Sequence, residues 1–343
     1  MAVPLRQSTN RNGLGRVAVV AAMFGVCAPG ALVPVAASER PAADPAEALV
    51  SGAKESFAGR SRSVRTATVA SRRTDPVVSV AGDIACGPGV RAYNGGNGTS
   101  TQCRQKYTAP LIRHSNAVWT LGDHAYPVAT LSALRTGYHP TWGRKKAVTY
   151  PTPGDHDYGS NRGKDYFRYF GRRPYYTFKM GGWRVYSLNS EIDHRAKSPQ
   201  VRWLKRQLAA TRTDCIAAYW GTPRWTSGPK ASGHRSVAPF WKALYARRAD
   251  LALSGDTHNY ERFAPRKPAG APAANGIRQF VVGTGGRSLI GFPHVQRTSQ
   301  VRKQAFGVLR LRLHPHSYHW RFINQKRRTL DSGFNRCNPR IPG

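Results

Sequence analysis

The chain has 343 residues, of which 40% are hydrophobic, so it is long and apolar enough to fill a sizeable core, which excludes global disorder. Lysine and arginine number 53 against 17 aspartates and glutamates, which gives a formal net charge of +36. A chain this basic is expected to attract phosphorylated small molecules, anionic cell-envelope polymers or, non-specifically, nucleic acid. The arginines are dispersed along the sequence, so a solvated basic surface without a dedicated ligand is the alternative.

Residues 1–37 have the pattern of an export signal. Three arginines precede an apolar stretch, and small residues typical of a cleavage site follow at Val35, Ala36 and Ala37. A membrane anchor is the alternative, but Pro29 and Pro34 interrupt the segment, and no later stretch reaches about 18 consecutive apolar residues. The sequence therefore predicts a secreted, extracellular protein whose mature form has no transmembrane helix.

The rest of the chain divides by composition and periodicity. Residues 38–75 are rich in alanine, serine and arginine and predict a disordered linker or pro-segment, followed by a folded domain over 76–337 and a short tail over 338–343. Predicted helices alternate with predicted strands, an order that favours an α/β fold. The predicted helices are 104–114, 199–210 and 237–247. The predicted strands are 77–81, 117–121, 148–152, 175–180, 183–189, 215–220, 250–253, 279–282, 307–313 and 318–323.

The cysteine content agrees with export. Outside the predicted signal there are four cysteines, an even number that suits an oxidising compartment. We expect Cys86 to pair with Cys103 across a Gly/Asn-rich loop and Cys215 to pair with Cys337, which would fasten a C-terminal tail to a core strand. Zinc ligation is the alternative, although no CxxC-type spacing is present.

Five short motifs carry the chemistry, and each follows a predicted strand. A single Gly-Asp pair has no diagnostic value, but five such segments in this order form a specific pattern. Rigid strand ends hold carboxylates in fixed positions, so the pattern favours a metal site along one edge of a sheet. The motifs are GDIA at 82–85, GDHAY at 122–126, PGDHDY at 153–158, WGTPRW at 220–225 and SGDTHNYER at 254–262.

From about residue 76 to 337 these motifs resemble the calcineurin-like metallophosphoesterase superfamily, and specifically its purple-acid-phosphatase-like branch. The stretches WLKRQL at 203–208, FVVGTGG at 280–286 and DSGFNRC at 331–337 are similar to secreted bacterial members. The resemblance implies a four-layer αββα sandwich of the α/β class. It also implies a secreted hydrolase of phosphoesters, a phosphatase or phosphodiesterase, that uses a metal-activated water.

The resemblance also implies a set of metal ligands. The first metal of the family, iron or another transition metal, would take Asp83, the bridging Asp123, Tyr126 and His258, and this set is complete.

The second metal site departs from the family pattern. The family asparagine is Asp155, the strand-end histidine is Gly221, and the first histidine of the last motif is Asp256. Replacing imidazoles by carboxylates favours Mn, Mg or Ca, so one or two metal ions are expected. Because like charges repel, four converging aspartates would require cations, protons or arginine side chains beside them.

Three further residues receive roles from the same comparison. His156 matches the family histidine that assists the leaving group, a suitable general acid. Thr222 stands where the family has a phosphate-contacting histidine, and His234 could reach back from its loop towards substrate or a lost ligand position. His124 receives no role.

Two other functions stay open at this stage. One is a catalytically impaired pseudoenzyme that binds phosphate or polyanions, with Arg195 or Arg224 in the altered site. The other is a nucleic-acid-binding protein, although the sequence contains no nucleic-acid-binding module.

Overall fold

The computed structural model describes residues 75–229 and 233–340. The predicted export signal and nearly all of the predicted linker lie outside the described residues, as do 230–232 and 341–343. None of the described helices is long and apolar enough to cross a membrane.

The described residues form fifteen strands. In chain order they are β1 (Val77–Ala81), β2 (Ala85–Cys86), β3 (Ala117–Leu121), β4 (Ala125–Tyr126), β5 (Thr149–Thr152), β6 (Tyr176–Met180), β7 (Trp183–Ser187), β8 (Cys215–Tyr219), β9 (Leu251–Ser254), β10 (Tyr260–Phe263), β11 (Arg278–Val282), β12 (Ser299–Lys303), β13 (Gly307–Leu313), β14 (Ser317–Asn324) and β15 (Thr329–Arg336).

Two large sheets are built from these strands. The first has the order β15-β14-β13-β1-β3-β5, and the second has the order β12-β10-β11-β9-β8-β7-β6. In the first sheet β1, β3 and β5 run parallel, and in the second β7, β8, β9 and β11 run parallel. The carboxyl ends of the parallel strands in each sheet therefore lie along one edge. β2 and β4 pair with each other beyond that edge.

Alternating side chains along β8 show how the layers pack. Cys215, Ala217 and Tyr219 belong to a core that also contains residues of the first sheet, so the two sheets pack face to face. Ile216 and Ala218 belong to a second core together with residues of two helices on the outer face of the second sheet. Because successive strand side chains point to opposite faces, the strand is buried on both sides. The fold is the predicted mixed α/β sandwich.

The described residues also form six α-helices. They are α1 (Gln105–Thr108), α2 (Leu131–Ala133), α3 (Asp155–Tyr158), α4 (Lys164–Phe170), α5 (Pro199–Ala209) and α6 (Ala238–Tyr245). The helix predicted over 104–114 is instead α1 followed by a 3₁₀ turn at Ala109–Ile112. Pro110 lacks an N–H group, so a continuous α-helix would lose a hydrogen bond there.

Two disulfides connect the predicted cysteine pairs. Cys86 and Cys103 are bonded with Cα atoms 5.3 Å apart, and Cys215 and Cys337 are bonded with Cα atoms 5.4 Å apart. The expectation that Cys337 fastens a loose tail was wrong in one respect, since the residues before it form β15 and are already paired with β14.

A buried carboxylate joins the ends of β3 and β5. Asp157 is fully buried, and its oxygens accept hydrogen bonds from the backbone N–H groups of Asp123 at 2.8 Å, His124 at 3.1 Å and Gly154 at 3.0 Å. Its Oδ2 also lies 2.9 Å from Nδ1 of the buried His124, whose Nε2 contacts Thr120. One side chain thus fixes both loops that carry the second and third motifs.

We expect the double variant Cys215→Ala/Cys337→Ala to lose about 5 kcal/mol of unfolding free energy, because this bond closes a loop of 122 residues. The matched variant Cys86→Ala/Cys103→Ala removes a bond that closes a loop of only 17 residues, so it should lose about 3 kcal/mol of unfolding free energy. Urea unfolding at equilibrium measures both. An unchanged midpoint for the long-loop variant would contradict the expectation.

We expect Asp157→Asn to destabilise the protein by about 3 kcal/mol, because an amide can accept at only one of the two positions where N–H groups point. Thermal unfolding against the wild-type chain provides the measurement. The control is Asp214→Asn, which removes an exposed carboxylate paired only with exposed His316. Equal stability losses in the two variants would show that the buried hydrogen bonds of Asp157 stabilise the fold no more than an exposed ion pair does.

Candidate metal centre

All five motifs follow the carboxyl ends of parallel strands, β1, β3, β5, β8 and β9. The two sheets meet at this edge, where the backbone N–H of Gly82 donates to the carbonyl of Val282 at 2.8 Å. Three of the motif aspartates have left-handed backbone conformations, with φ of 57° at Asp83, 54° at Asp123 and 64° at Asp256. Such values are uncommon for residues other than glycine, although aspartate adopts them more readily than most.

The first half of the predicted site converges on one phenol oxygen. Tyr126 Oη lies 2.8 Å from Asp83 Oδ1, 2.7 Å from Asp123 Oδ2 and 3.1 Å from His258 Nε2. His258 Nε2 is also 3.0 Å from Asp83 Oδ1. The four residues that the sequence analysis grouped as ligands of one metal are therefore brought together, with one atom of each at contact distance of the phenol.

This arrangement has more acceptors than protons. A phenol has one hydrogen and can donate it to one carboxylate, yet two carboxylates approach it. Burial raises the pKa of Asp123 well above its usual range, and the nearby Asp83 and Asp155 carboxylates raise it further. Burial raises the pKa of Tyr126 as well, and the Asp123 and Asp83 carboxylates raise it further. A cation among these atoms would remove the repulsion, so the donor set fits a metal ion.

Two further details fit the same ion. Oδ2 of the fully buried Asp83 has no hydrogen-bond partner among the described residues. His258 Nδ1 contacts Ser288 Oγ at 2.7 Å, which orients the ring so that Nε2 faces the carboxylates, as in many metal-ligating histidines. Burial lowers the pKa of His258, but the adjacent Asp83 carboxylate more than offsets it, so the pKa is raised. Glycine at position 283 leaves space beside Asp83, because a Cβ there would lie only 2.7 Å from Asp83 Oδ2.

The second half of the site is more open. Asp123, Asp155 and His156 each offer a ligand atom, and these atoms lie within 4.8 Å of one another. Asp155 is exposed as the first residue of α3, whereas Asp123 is buried beneath it. This trio is a carboxylate-rich group that could hold a cation next to the first position.

The position after β8 that the sequence analysis singled out, Gly221, is tightly surrounded. A Cβ at Gly221 would lie 3.1 Å from both Ser190 Oγ and the carbonyl oxygen of Pro153. Ser190 Oγ donates to Glu191 Oε1 at 2.7 Å and accepts from the Thr222 hydroxyl at 3.2 Å. Burial raises the pKa of Glu191 to about 7, although Ser190 acts against it. A side chain at position 221 would therefore be in tight contact with Ser190 and with the backbone at Pro153.

His234 and Asp256 face each other in the described structure. His234 Nε2 lies 3.6 Å from Asp256 Oδ2, so the loop histidine does approach the altered ligand position. Neither arginine suggested for that position is there: Arg195 pairs with the exposed Asp193 at 2.9 Å, and Arg224 lies 4.4 Å over the ring of Trp225.

His156 is placed at the mouth of the site. Its ring packs against Tyr126 with centroids 4.2 Å apart, and its Nδ1 donates to the carbonyl of Pro127 at 2.6 Å. That bond fixes the ring and leaves Nε2 available for proton transfer. Thr222, by contrast, directs its hydroxyl to Ser190, and the structure records no further partner for that hydroxyl among the described residues.

Sequence reasoning missed several residues of this region. Asp157 had a readable signal, because it stands three residues after Gly154 at the start of α3, the spacing at which an acid accepts the N-cap N–H. Ser190, Glu191 and Ser288 had none, since they lie in loops outside the five motifs and are brought in by the tertiary fold.

Comparison with known proteins shows partial sequence similarity to purple acid phosphatases. No family model matches the chain. Purple acid phosphatase 21 of Arabidopsis thaliana is 29% identical over 157 residues, which are 43% of this chain and 36% of that protein. Purple acid phosphatase 18 of the same plant is 31% identical over 94 residues, 26% of this chain and 21% of that protein. The chain thus spans well under half of the curated relatives it matches.

Solved structures share the fold at low identity. Purple acid phosphatase PPD1 from yellow lupin seeds superposes with a TM-score of 0.61 and 18% identity, covering 77% of this chain and 54% of that one. GAP50, described as the anchor in the inner membrane complex of Plasmodium, gives 0.58 and 14%, covering 78% and 90%. PhoD gives 0.52 and 12%, covering 77% and 68%.

The sequence matches fall on purple acid phosphatases. The chain is similar to these proteins in sequence, and it shares its fold with purple acid phosphatase PPD1.

Proposed function

We propose that the chain is a secreted, metal-dependent hydrolase of phosphoesters. The observation that carries the proposal is the convergence of Asp83, Asp123 and His258 on the oxygen of Tyr126, within 3.1 Å. Carboxylates, an imidazole and a phenol together form a ligand set for iron or another transition metal. The similarity to purple acid phosphatases supports the same activity.

Asp83, Asp123, Tyr126 and His258 would hold the first ion. Asp123, Asp155 and Asp256 would contribute to a second, for which the oxygen ligands favour Mn, Mg or Ca. A metal ion held there supplies Lewis-acid activation of water and of the phosphoryl group. The basic exterior of the chain would draw anionic substrates towards this edge.

His156 would act on the leaving group. In hydrolysis the oxygen of water bonds to phosphorus, the bond from phosphorus to the leaving oxygen breaks, and the leaving oxygen takes a proton. His156 is held by Pro127 at the mouth of the site, next to the ligand Asp155, and its free ring nitrogen can donate that proton. Thr222 and His234 would line the substrate side of the altered half.

Secretion belongs to the same proposal. The two disulfides suit an oxidising compartment, and the predicted export signal would deliver the chain there. Phosphorylated small molecules or anionic polymers are the proposed partners.

The first prediction concerns metal. We expect at least one tightly held ion per chain after dialysis against iron, manganese and zinc, and a visible phenolate-to-iron band when iron is loaded. Tyr126→Phe should abolish the band and weaken iron binding at least about tenfold, whereas Tyr138→Phe, which changes a buried tyrosine outside the site, should do neither. Metal analysis and absorption spectra measure both. A native chain that stays metal-free would refute the metal site.

The second prediction concerns His156. His156→Ala should lower kcat/KM for an alkyl phosphate about 100-fold or more, because an alkoxide leaves poorly without a proton. The loss for 4-nitrophenyl phosphate should be below about tenfold, because nitrophenolate needs little protonation. His316→Ala, an exposed histidine, is the control. Equal losses for both substrates would contradict a general-acid role.

These measurements also separate the alternative function. The narrowed space at Gly221 and the Asp256–His234 contact favour an impaired second site, and so a silent binder of phosphate or polyanions. That protein would hold one metal and bind inorganic phosphate, but it would hydrolyse neither ester with any added metal.

A further inference from the structure

A basic cavity lies beside the altered half of the site. It has a volume of about 480 Å³, and three cations line it, Arg224, Arg235 and Lys242, together with the indole of Trp225. Its lining contains no acidic residue. Among the described residues, no carboxylate forms an ion pair with any of the three cations.

The wall of this cavity is preorganised and positively charged. Two guanidinium groups lie over the ring of Trp225, that of Arg224 at 4.4 Å and that of Arg266 at 4.5 Å from the ring centroid. Its indole packs edge-on against Trp241, and its backbone N–H donates to Gln279 Oε1 at 3.2 Å. The aromatic ring is thus fixed from several sides, which holds both guanidinium groups in place.

Two buried guanidinium groups at the cavity have an unpaired Nε atom. Arg266 lies behind the lining residue Trp225, and the Glu261 carboxylate favours its charged form. Arg266 is buried at 1% exposure, and its Nε has no hydrogen-bond partner among the described residues, nor does the buried Nε of Arg224. Burial lowers the pKa of Arg224, and Arg235 lowers it further. Converging cations without counter-charge are stabilised by an oxyanion, for which planar guanidinium groups are the favoured protein ligands.

The cavity and the metal centre share one loop. His234, whose Nε2 faces Asp256 at 3.6 Å, directly precedes Arg235, and consecutive Cα atoms are about 3.8 Å apart. The backbone N–H of His234 donates to the carbonyl of Pro223, which directly precedes Arg224. The loop that brings His234 to Asp256 therefore also carries Arg235, and it is hydrogen-bonded to the segment that carries Arg224.

We propose that this cavity binds a second phosphate-like group of the substrate, so that the protein acts on compounds with more than one phosphoryl group. This inference rests on the proposed hydrolysis for its catalytic part, whereas the binding of the anion stands on the cavity alone. The charges of the two regions support this proposal. The aspartates at the metal centre would be stabilised by cations, and the three cations of the cavity would be stabilised by an anion.

The test uses the full chain and the variant Arg235→Gln/Lys242→Gln, whose exposed side chains can be replaced without opening the core. The control Lys205→Gln/Arg206→Gln removes the same charge from an exposed face of α5. Inorganic tripolyphosphate is titrated calorimetrically into chelator-treated protein at 0.15 M salt, where long-range attraction is largely screened. We expect the cavity variant to bind about tenfold more weakly than the control. Equal affinities would overturn the inference. Circular dichroism spectra of the cavity variant and of the single variant Arg235→Gln verify that each has kept its fold.

Catalysis supplies the second arm. With metal added, the cavity variant should lose about tenfold in kcat/KM for tripolyphosphate and keep its rate on 4-nitrophenyl phosphate. Cavity-dependent binding without hydrolysis of either compound would refute the proposed function and leave the anion site standing. Hydrolysis of both compounds at rates unaffected by the cavity variant would refute the site and leave the function standing.

Discussion

Parallel strand pairing imposes the constraint on which this molecule depends. It delivers Asp83 and Asp123 from adjacent strands of one sheet and Asp256 from the other sheet to a single edge, where hydrophobic packing of the sheets leaves the carboxylates no freedom to separate. The resulting repulsion is a cost of the fold itself. Tyr126 and His258 lie at hydrogen-bond distance from these carboxylates and offset part of the repulsion. The N–H groups that donate to Asp157 hold the neighbouring loops in place. A bound cation would offset the repulsion that remains.

The sequence predicts the centre well and its surroundings poorly, for physical reasons. Short, largely apolar runs followed by Gly-Asp identify β1, β3 and β9, because a strand buried on both faces in a parallel sheet needs a continuous apolar segment. β10 was not predicted as a strand, since its four residues, Tyr260–Phe263, include two charges and show no simple alternation. β12 and β15 are similarly polar, with sequences SQVRK and TLDSGFNR, and it is the neighbouring strand, not their own composition, that orders them.

The two halves of the site show different limits of inference. Asp83, Asp123, Tyr126 and His258 could be grouped through the resemblance of their motifs to the metallophosphoesterase family, and the topology brings them together because each follows a strand end. The altered half depends on the loop that carries His234 and on Ser190, which narrows the space at Gly221. Loop positions follow from tertiary contacts that no local pattern encodes, so the sequence could name the missing ligands but not what replaced them.

The wide spacing of the first ligand set has a consequence for how the protein matures. Asp83 and His258 are 258 − 83 = 175 residues apart, yet their side chains touch at 3.0 Å. Contacts of such long range form late in folding, since the intervening chain must first be ordered. A partly synthesised chain that ends before His258 would possess three of the four proposed ligands and lack the imidazole, so it would hold an ion less firmly. Metal capture would thus mark the completed domain, and the compartment in which β9 joins the second sheet would determine which metal is available at that moment.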